Sequence, residues 1–393
     1  MEKFITDITV IGGGVIGCSI AYHLAKEGGE VVVLEEETVA SGASGRNAGG
    51  VRKQGRNIHE FPFAIESANR FLCLNDELGL ELEYRRHGNV QIAFNENQME
   101  TLRDVLNRQE KWGFCESKLL DRKEVEGMVP LLSLDGVVGG IYCPTDGHIN
   151  PFLLNFGFAE KAKSLGAKIQ SHSPVKKILL SESGERVIGV SGEGFEIRSN
   201  WVINATGIHA RQLSKTIGCD VPIQPVTVEM VVTEPLPPIL KPYVMGTQSF
   251  GCRQTMKGNL LFIYSGPTKV MDSQTVSEEN FKRRIGLLSL MFKKLKSFSV
   301  IRSWAGCHDL SEDRLPIIHF YEKPKGYVIA AGFSGHGMAL SPAFGESVSE
   351  TLLKGKATLS LEHFSLSRFG DMDYNQFGKG RKYLSTAAKG KAL

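Results

Sequence analysis

Gly12, Gly14 and Gly17 stand at the spacing Gly-x-Gly-x-x-Gly, and a second apolar run downstream ends in Glu35, with Glu36 beside it. These residue types in this order can hold a dinucleotide. Gly12 permits a tight turn, Gly14 lets the backbone approach a pyrophosphate, and Gly17 lets a helix pack closely on a strand. A helix opening at Val15 and Ile16 turns N–H donors and a partial positive charge towards the phosphates. Glu35 can accept hydrogen bonds from ribose hydroxyls and would repel a 2′-phosphate. The spacing alone leaves FAD and NAD both open.

The elements that must position these residues are legible around them. Ile8 to Ile11 is a short apolar run and reads as a buried parallel strand. Ile16, Ile20, Ala21 and Leu24 recur at helical spacing, and Val31 to Leu34 is the next strand. Trp201 to Gly207 is a further apolar run ending in the small residues Ala205, Thr206 and Gly207. Near the other end, Tyr327 to Ala331 leads into Gly332-Phe333-Ser334-Gly335-His336-Gly337-Met338 and a helix from Phe344 to Lys354, a second glycine turn whose N–H groups suit an anion.

The 393 residues allow two domains or one large elaborated one. A net charge of +3 gives no reason to expect nucleic acid or an anionic membrane as the main partner. The seven cysteines form no CxxC pair and no Cys/His ligand spacing, which argues against a zinc or Fe–S site and suits a reducing compartment. No Ser/His/Asp signature or metal motif appears. The opening residues do not read as a signal peptide, and no run approaches the ~18 apolar residues of a membrane span. The expectation is a soluble cytoplasmic protein without a metal.

Between the glycine turns the periodicity alternates. Phe63 to Leu78, Asn97 to Trp112, Arg122 to Met128, Phe152 to Gly166 and the basic stretch Phe281 to Ser297 read as helices. Gly88 to Phe94, Ala167 to Gln170 and Pro174 to Ile178 read as strands, followed by the longer alternating runs Val226 to Thr233, Ser249 to Gln254 and Asn259 to Ser265. Antiparallel strands after a parallel α/β half argue for a second domain that covers the first.

Ser41 to Arg52 is a loop of small and polar residues after the second strand, on the edge of a doubly wound sheet where ligands bind. Through Ser44-Gly45-Arg46-Asn47-Ala48-Gly49-Gly50-Val51-Arg52 and the first glycine motif, the chain resembles the FAD-dependent amine oxidoreductases of the D-amino-acid oxidase type. It is most similar to sarcosine oxidase beta subunits and to the proline, hydroxyproline and opine dehydrogenase beta subunits. The likeness runs from about residue 5 to about 365, with three separate motifs in order.

The resemblance implies FAD, held non-covalently because Cys307 is shifted by one residue from the tethering position of single-chain sarcosine oxidases. It implies that Ser44 to Gly50 wrap the pyrophosphate, that Val175 meets the adenine and that Ala205, Thr206 and Gly207 meet the ribose and phosphate. Gly332, Gly335, His336, Gly337 and Met338 would face the flavin pyrimidine. The fold implied is a doubly wound Rossmann-type α/β domain (1–85, 140–218 and 302–369) with an inserted substrate domain on a mostly antiparallel sheet (86–139 and 219–301), and a basic tail at 370–393.

The activity implied is oxidation of a small secondary amino acid, of sarcosine, proline, hydroxyproline or opine type, by hydride transfer to flavin N5. A larger alpha subunit would receive the electrons. The alternatives are a self-sufficient oxidase that makes hydrogen peroxide, or a flavin-bearing subunit without catalysis. Many single-chain members carry an arginine where this chain has His308. Arg52 and Arg253 remain as cations for a substrate carboxylate, or as ordinary surface or salt-bridge residues. His336 is the titratable candidate beside the reacting carbon, acting through its ring or only through its backbone N–H. Glu229 would either pair with a cationic substrate amine or face solvent.

Overall fold

The computed structural model describes residues 2–247, 250–264, 274–295 and 297–370. Beyond Gly370 the basic tail lies outside the described residues, as do Ser249 and Ser265 at the ends of two expected strands.

Two eight-stranded sheets organise the chain. In the first, Tyr327–Ala331, Phe195–Asn204, Glu2–Ile11, Val31–Leu34 and Lys168–Gln170 lie side by side and parallel, with Ile317–Phe320 antiparallel at the edge. Val31–Leu34 and Tyr327–Ala331 are buried along their whole length, as strands covered on both faces must be. One face packs on the helices Val15–Lys26, Pro151–Ser164 and Gly337–Lys354 through Ile20, Leu24, Phe158 and Phe344. Burying such a side chain is worth about 1.5–3 kcal/mol. The other face is closed by Val175–Leu180 and Val187–Gly192, antiparallel strands hung on the first half of Phe195–Asn204.

Four adjacent parallel strands end on the same edge of this sheet, at Ile11, Leu34, Asn204 and Ala331. The first glycine turn, Glu35, the Ala205–Gly207 turn and the second glycine turn therefore converge, although 325 residues of chain separate the first from the last. That separation follows from the numbering, Gly337 minus Gly12.

The second sheet runs Val300–Ser311, Ile223–Pro235, Asn259–Tyr264, Phe250–Gln254, Tyr243–Gly246, Asn89–Ala93, Gly139–Cys143, Lys118–Asp121. All pairs are antiparallel except Tyr243–Gly246 with Asn89–Ala93. Its two faces separate cleanly by the strand period of two. Val231, Phe250, Cys252 and Phe262 pack against Leu288, Met291 and Phe292 at the end of the helix Glu278–Met291. Val228, Met230, Tyr243 and Leu261 pack on Ala48, in the loop that leaves the first sheet.

Several element bounds differ from the sequence reading. The Phe63 to Leu78 helix is two, Phe61–Arg70 and Leu74–Leu78, and the basic helix stops at Met291. The last helix begins at Gly337, not Phe344, despite Pro342 within it. The Met338 carbonyl, which a proline at 342 cannot engage, accepts the Ser341 hydroxyl at 3.2 Å instead.

Candidate active site

The first glycine turn is built from backbone contacts that exclude side chains. Gly12 has φ +109°, and a Cβ on it would lie 2.6 Å from the Ala205 carbonyl oxygen. A Cβ on Gly17 would lie 2.1 Å from the Gly12 oxygen. Asn155, from the helix behind, donates to the Gly13 carbonyl at 3.1 Å and fixes the turn from below. Gly14 is different: within 4 Å its Cβ would meet only Ser44 Oγ, at 3.1 Å. Room has been left in front of it.

The groups around that space are arranged for an anion next to a hydroxylated ring. The Val15 N–H donates to Ser44 Oγ at 2.9 Å, while those of Ile16 and Gly17 have no acceptor among the described residues. Glu35 Oε2 accepts the Gly13 N–H at 2.6 Å, and Oε1 accepts the Glu37 N–H at 2.9 Å and Ser41 Oγ at 3.3 Å. A carboxylate has about four lone-pair directions, so capacity remains for a hydroxyl.

A cleft of about 550 Å³ runs along this edge. Gly12, Gly14, Val15, Ile16, Glu35, Glu36, Ser44, Arg46, Asn47, Val175, Ala205, Thr206, Gly207, His308, Gly335, Gly337 and Met338 line it. Gly17, Gly45, Ala48, Gly49, Gly50, Gly332 and His336 do not. The loop glycines among these serve the loop's own packing. Gly49, at φ +69°, approaches the Ile149 backbone so closely that a Cβ would lie 2.0 Å from its oxygen. Arg46 ties the loop down through Ser41 and Ala305 carbonyls, and Trp304 Nε1 donates to the Arg46 carbonyl at 3.3 Å.

Sequence reasoning passed over two residues that hold the far walls. Asn204 is fully buried; its Oδ1 accepts from the Thr206 backbone and hydroxyl, and its Nδ2 donates to the Ala210 carbonyl and to Tyr327 Oη. A buried amide with this many partners at a strand end anchors the Ala205–Gly207 turn. Asp309, on the cleft wall, accepts the Gly332 N–H at 2.7 Å and the Phe333 N–H at 3.3 Å and so clasps the second glycine turn. The signal for Asp309 was an acid near the end of the strand that precedes the second glycine turn.

Burial pushes the Asp309 carboxyl up to about 6, against the pull of those N–H donors. An acid raised in this way takes up a proton on folding. The stability gained is full below the unfolded value near 4 and is lost as pH rises through about 6. Relative to Asp309→Asn, the wild-type protein should therefore lose roughly 1–3 kcal/mol between pH 4 and pH 7. Denaturant midpoints for the two proteins across that range measure it, and parallel curves would refute the assignment.

The five residues proposed for catalysis or substrate fall in four places. His336 is turned away from the cleft: its Nδ1 lies 2.7 Å from Oε1 of the buried Glu60, and its backbone N–H is spent on the Phe333 carbonyl at 2.8 Å. Burial lowers the imidazole, with Arg56 and Arg52 adding to the effect against Glu60. Burial pushes Glu60 the other way, but His336 and Arg56 outweigh it and keep the carboxylate low. His336 and Glu60 thus form a close pair behind the second glycine turn. The N–H groups that open the last helix towards the cleft are those of Gly337 and Met338, so the role expected of the His336 N–H passes to them.

His308 packs its ring on Gly335, where a Cβ would lie 2.8 Å away, and burial lowers its pKa to about 4. It is a neutral imidazole at pH 7, not a cation for a carboxylate. Glu229 is the clearest correction. It sits on the face of the second sheet away from the loop, paired with the buried Arg284 and accepting Asn280 Nδ2 at 2.9 Å. The alternation that puts Val228 and Met230 towards Ala48 necessarily puts Glu229 behind.

Arg52 and Arg253 do face the loop side. Arg253 is 5% exposed and donates Nε to the Ala48 carbonyl. Neither forms an ion pair among the described residues. Those residues also contain no group of three or more His, Cys, Asp or Glu side chains placed to hold a metal, and no helix long and apolar enough to cross a membrane.

The model of the FAD-dependent oxidoreductase family matches residues 7–351. The chain is 26% identical to the mitochondrial dimethylglycine dehydrogenase of Rattus norvegicus, over 95% of this chain and 46% of that protein. It thus spans about half the length of the mitochondrial relatives it matches. It is 28% identical to the opine oxidase B chain of Rhizobium meliloti, over 92% of this chain and 97% of that one. Among solved structures it is similar to L-proline dehydrogenase from P. horikoshii, with a TM-score of 0.88 and 30% identity, over 94% of this chain and 98% of that chain.

Proposed function

This chain belongs to the family of FAD-dependent oxidoreductases, and from that premise we propose that it oxidises a small secondary amino acid of the sarcosine, proline, hydroxyproline or opine type. The observation that carries the reading is Arg52: a guanidinium that forms no ion pair among the described residues, at the end of the loop that leads from the cleft to the face of the antiparallel sheet. The residues present fit FAD. Gly14 keeps a side chain's worth of space clear, Ile16 and Gly17 offer N–H groups to a pyrophosphate, and Glu35 offers a carboxylate to a ribose. Gly337 and Met338 would meet the flavin's pyrimidine edge. Bound FAD supplies a two-electron acceptor, so that the amine loses a hydride from carbon and a proton from nitrogen and becomes an imine.

The protein's own part is binding and orientation. Arg52 takes the substrate carboxylate, the second sheet covers it from water, and Arg46 and Trp304 fix the loop between them. Likeness to one chain of an opine oxidase, over nearly all of that chain, supports a partner chain as electron acceptor. The test mixes FAD-loaded protein anaerobically with an amine panel and then admits either air or an artificial dye. Flavin bleaching by a secondary amino acid, with fast dye and slow air turnover, is the expected result. No bleaching by any amine would refute the reading, and fast air turnover would replace the partner with a self-sufficient oxidase.

The register of Val300–Ser311 supports non-covalent flavin. Trp304, Gly306 and His308 point at the loop and the second glycine turn. Cys307 therefore points to the other side, with its Sγ 3.8 Å from Thr227 Oγ, although its residue contributes to the cleft wall. Acid precipitation should leave a colourless pellet; a yellow one would show a tether.

A further inference from the structure

His308 stands where the antiparallel sheet meets the cleft. In the pairing of Val300–Ser311 with Ile223–Pro235, His308 lies opposite Val226, Gly306 opposite Val228 and Trp304 opposite Met230. Residues directly opposite one another share a face of the sheet. His308 is therefore on the loop side of the second sheet, with Val228 and Met230, and there it also lines the cleft of the first. Its ring edge is set against the second glycine turn: a Cβ on Gly335 would lie 2.8 Å from Cε1 and 2.9 Å from Nδ1. His336, in that turn, acts on the charge of His308 and is itself acted on by Arg52. The guanidinium assigned to the substrate carboxylate thus reaches the same turn electrostatically.

Among the described residues no hydrogen bond engages either ring nitrogen of His308. Burial, with His336 and Arg314 adding to it, lowers the imidazole to about 4. A neutral imidazole keeps one nitrogen as a donor and the other as an acceptor. The carboxylates around it are spent on the protein. Asp309 accepts the Gly332 and Phe333 N–H groups, Glu60 holds His336, and Glu229 pairs with Arg284 on the opposite face of the sheet. The backbone that opens the last helix towards the cleft offers donors, the Gly337 and Met338 N–H groups. His308 adds an unspent acceptor to a wall that otherwise presents N–H groups at this turn.

We propose that His308 is the hydrogen-bond acceptor for the substrate's amine N–H, and that it selects amines carrying such a hydrogen over tertiary amines. The proposal rests on the amine-oxidation reading above. A neutral secondary amine has one N–H and one lone pair. With the N–H directed at His308, the lone pair is fixed in orientation and stays free to expel the hydride as the C–H bond breaks. The imidazole accepts a hydrogen bond and takes no proton. A tertiary amine cannot make the contact.

The test titrates the FAD-loaded full chain with two flat acids that differ at one ring position, pyrrole-2-carboxylate with an N–H and 2-furoate with an oxygen. Perturbation of the flavin spectrum should show the pyrrole bound about tenfold more tightly, the range of one neutral hydrogen bond. His308→Phe, which keeps a flat ring against Gly335 without a nitrogen, should bring the two dissociation constants together; His308→Leu replaces it if that variant does not fold. His308→Asn, which keeps an acceptor oxygen, should retain part of the difference. A ring that served only to pack on Gly335 would weaken both acids alike. In anaerobic flavin bleaching, the preference for sarcosine over N,N-dimethylglycine should likewise fall about tenfold in His308→Phe. Equal or absent binding of the two acids in the wild type, or a difference that survives in His308→Phe, would overturn the proposal, and an unchanged preference between the amines would do the same. If no amine bleaches the flavin, the amine reading fails, and the two acids alone decide whether His308 accepts an N–H.

Discussion

Gly14→Leu should give a folded, colourless protein. Gly14 has φ −75° and ψ 173°, an extended conformation open to any residue, so the substitution adds no backbone strain. Its Cβ would press only on Ser44 Oγ, at 3.1 Å, and the rest of a leucine side chain would project into the cleft that Gly14 lines. The substitution therefore fills the place of a pyrophosphate without touching the core. FAD affinity should fall by about 1000-fold or more, equivalent to ~4 kcal/mol. Purified protein would show no absorbance near 450 nm, the known band of oxidised flavin, while its circular dichroism stayed unchanged. Gly12→Leu is the contrasting control. There φ is +109° and the Ala205 oxygen is 2.6 Å from the new Cβ, so the fold itself should fail. A Gly14→Leu protein purified with stoichiometric FAD would show that this edge of the sheet is not the pyrophosphate site.

The parts legible in the sequence were those in which local chemistry and local conformation coincide. A glycine turn between an apolar run and an amphipathic helix is readable because the backbone demands it within six residues, from Gly12 to Gly17. The four strand ends that form the edge were each visible for the same reason, and their convergence followed from the doubly wound order. The strands Tyr243–Gly246 and Val187–Gly192 were not visible. They are short and contain glycine, and Tyr243–Gly246 pairs with Asn89–Ala93, far along the chain. Side-chain partners across the fold were equally out of reach. Nothing near His336 in the sequence announces that Glu60, 276 residues away, will take its Nδ1. The direction of Glu229 was in principle readable, since Val226, Val228 and Met230 form the apolar phase of its strand. An acid in the opposite phase of a sheet that the helix Glu278–Met291 covers has to be buried with a partner, and only the fold shows the covering helix.

That burial gives Glu229 a testable signature opposite to a substrate contact. Removing the carboxylate by Glu229→Ala leaves Arg284, 1% exposed, without its counter-charge, and Arg284 Nε already has no partner among the described residues. Breaking a buried pair from one side costs about 3–5 kcal/mol, because the remaining charge is stranded in a medium that cannot solvate it. Removing both, as Glu229→Met with Arg284→Met, eliminates the stranded charge along with the pair and should recover most of the loss. Urea unfolding of the wild type, the single variant and the double variant separates these cases, with the single variant far below the other two. The catalytic face should not register the change, since Met230 and Val228 hold their contacts with Ala48 on the other side of the strand. At a temperature where Glu229→Ala remains folded, its KM for the amine should stay within about twofold of wild type, under ~0.4 kcal/mol. A variant with wild-type stability and a KM raised tenfold would place Glu229 on the substrate side of the sheet and overturn this account of its partner.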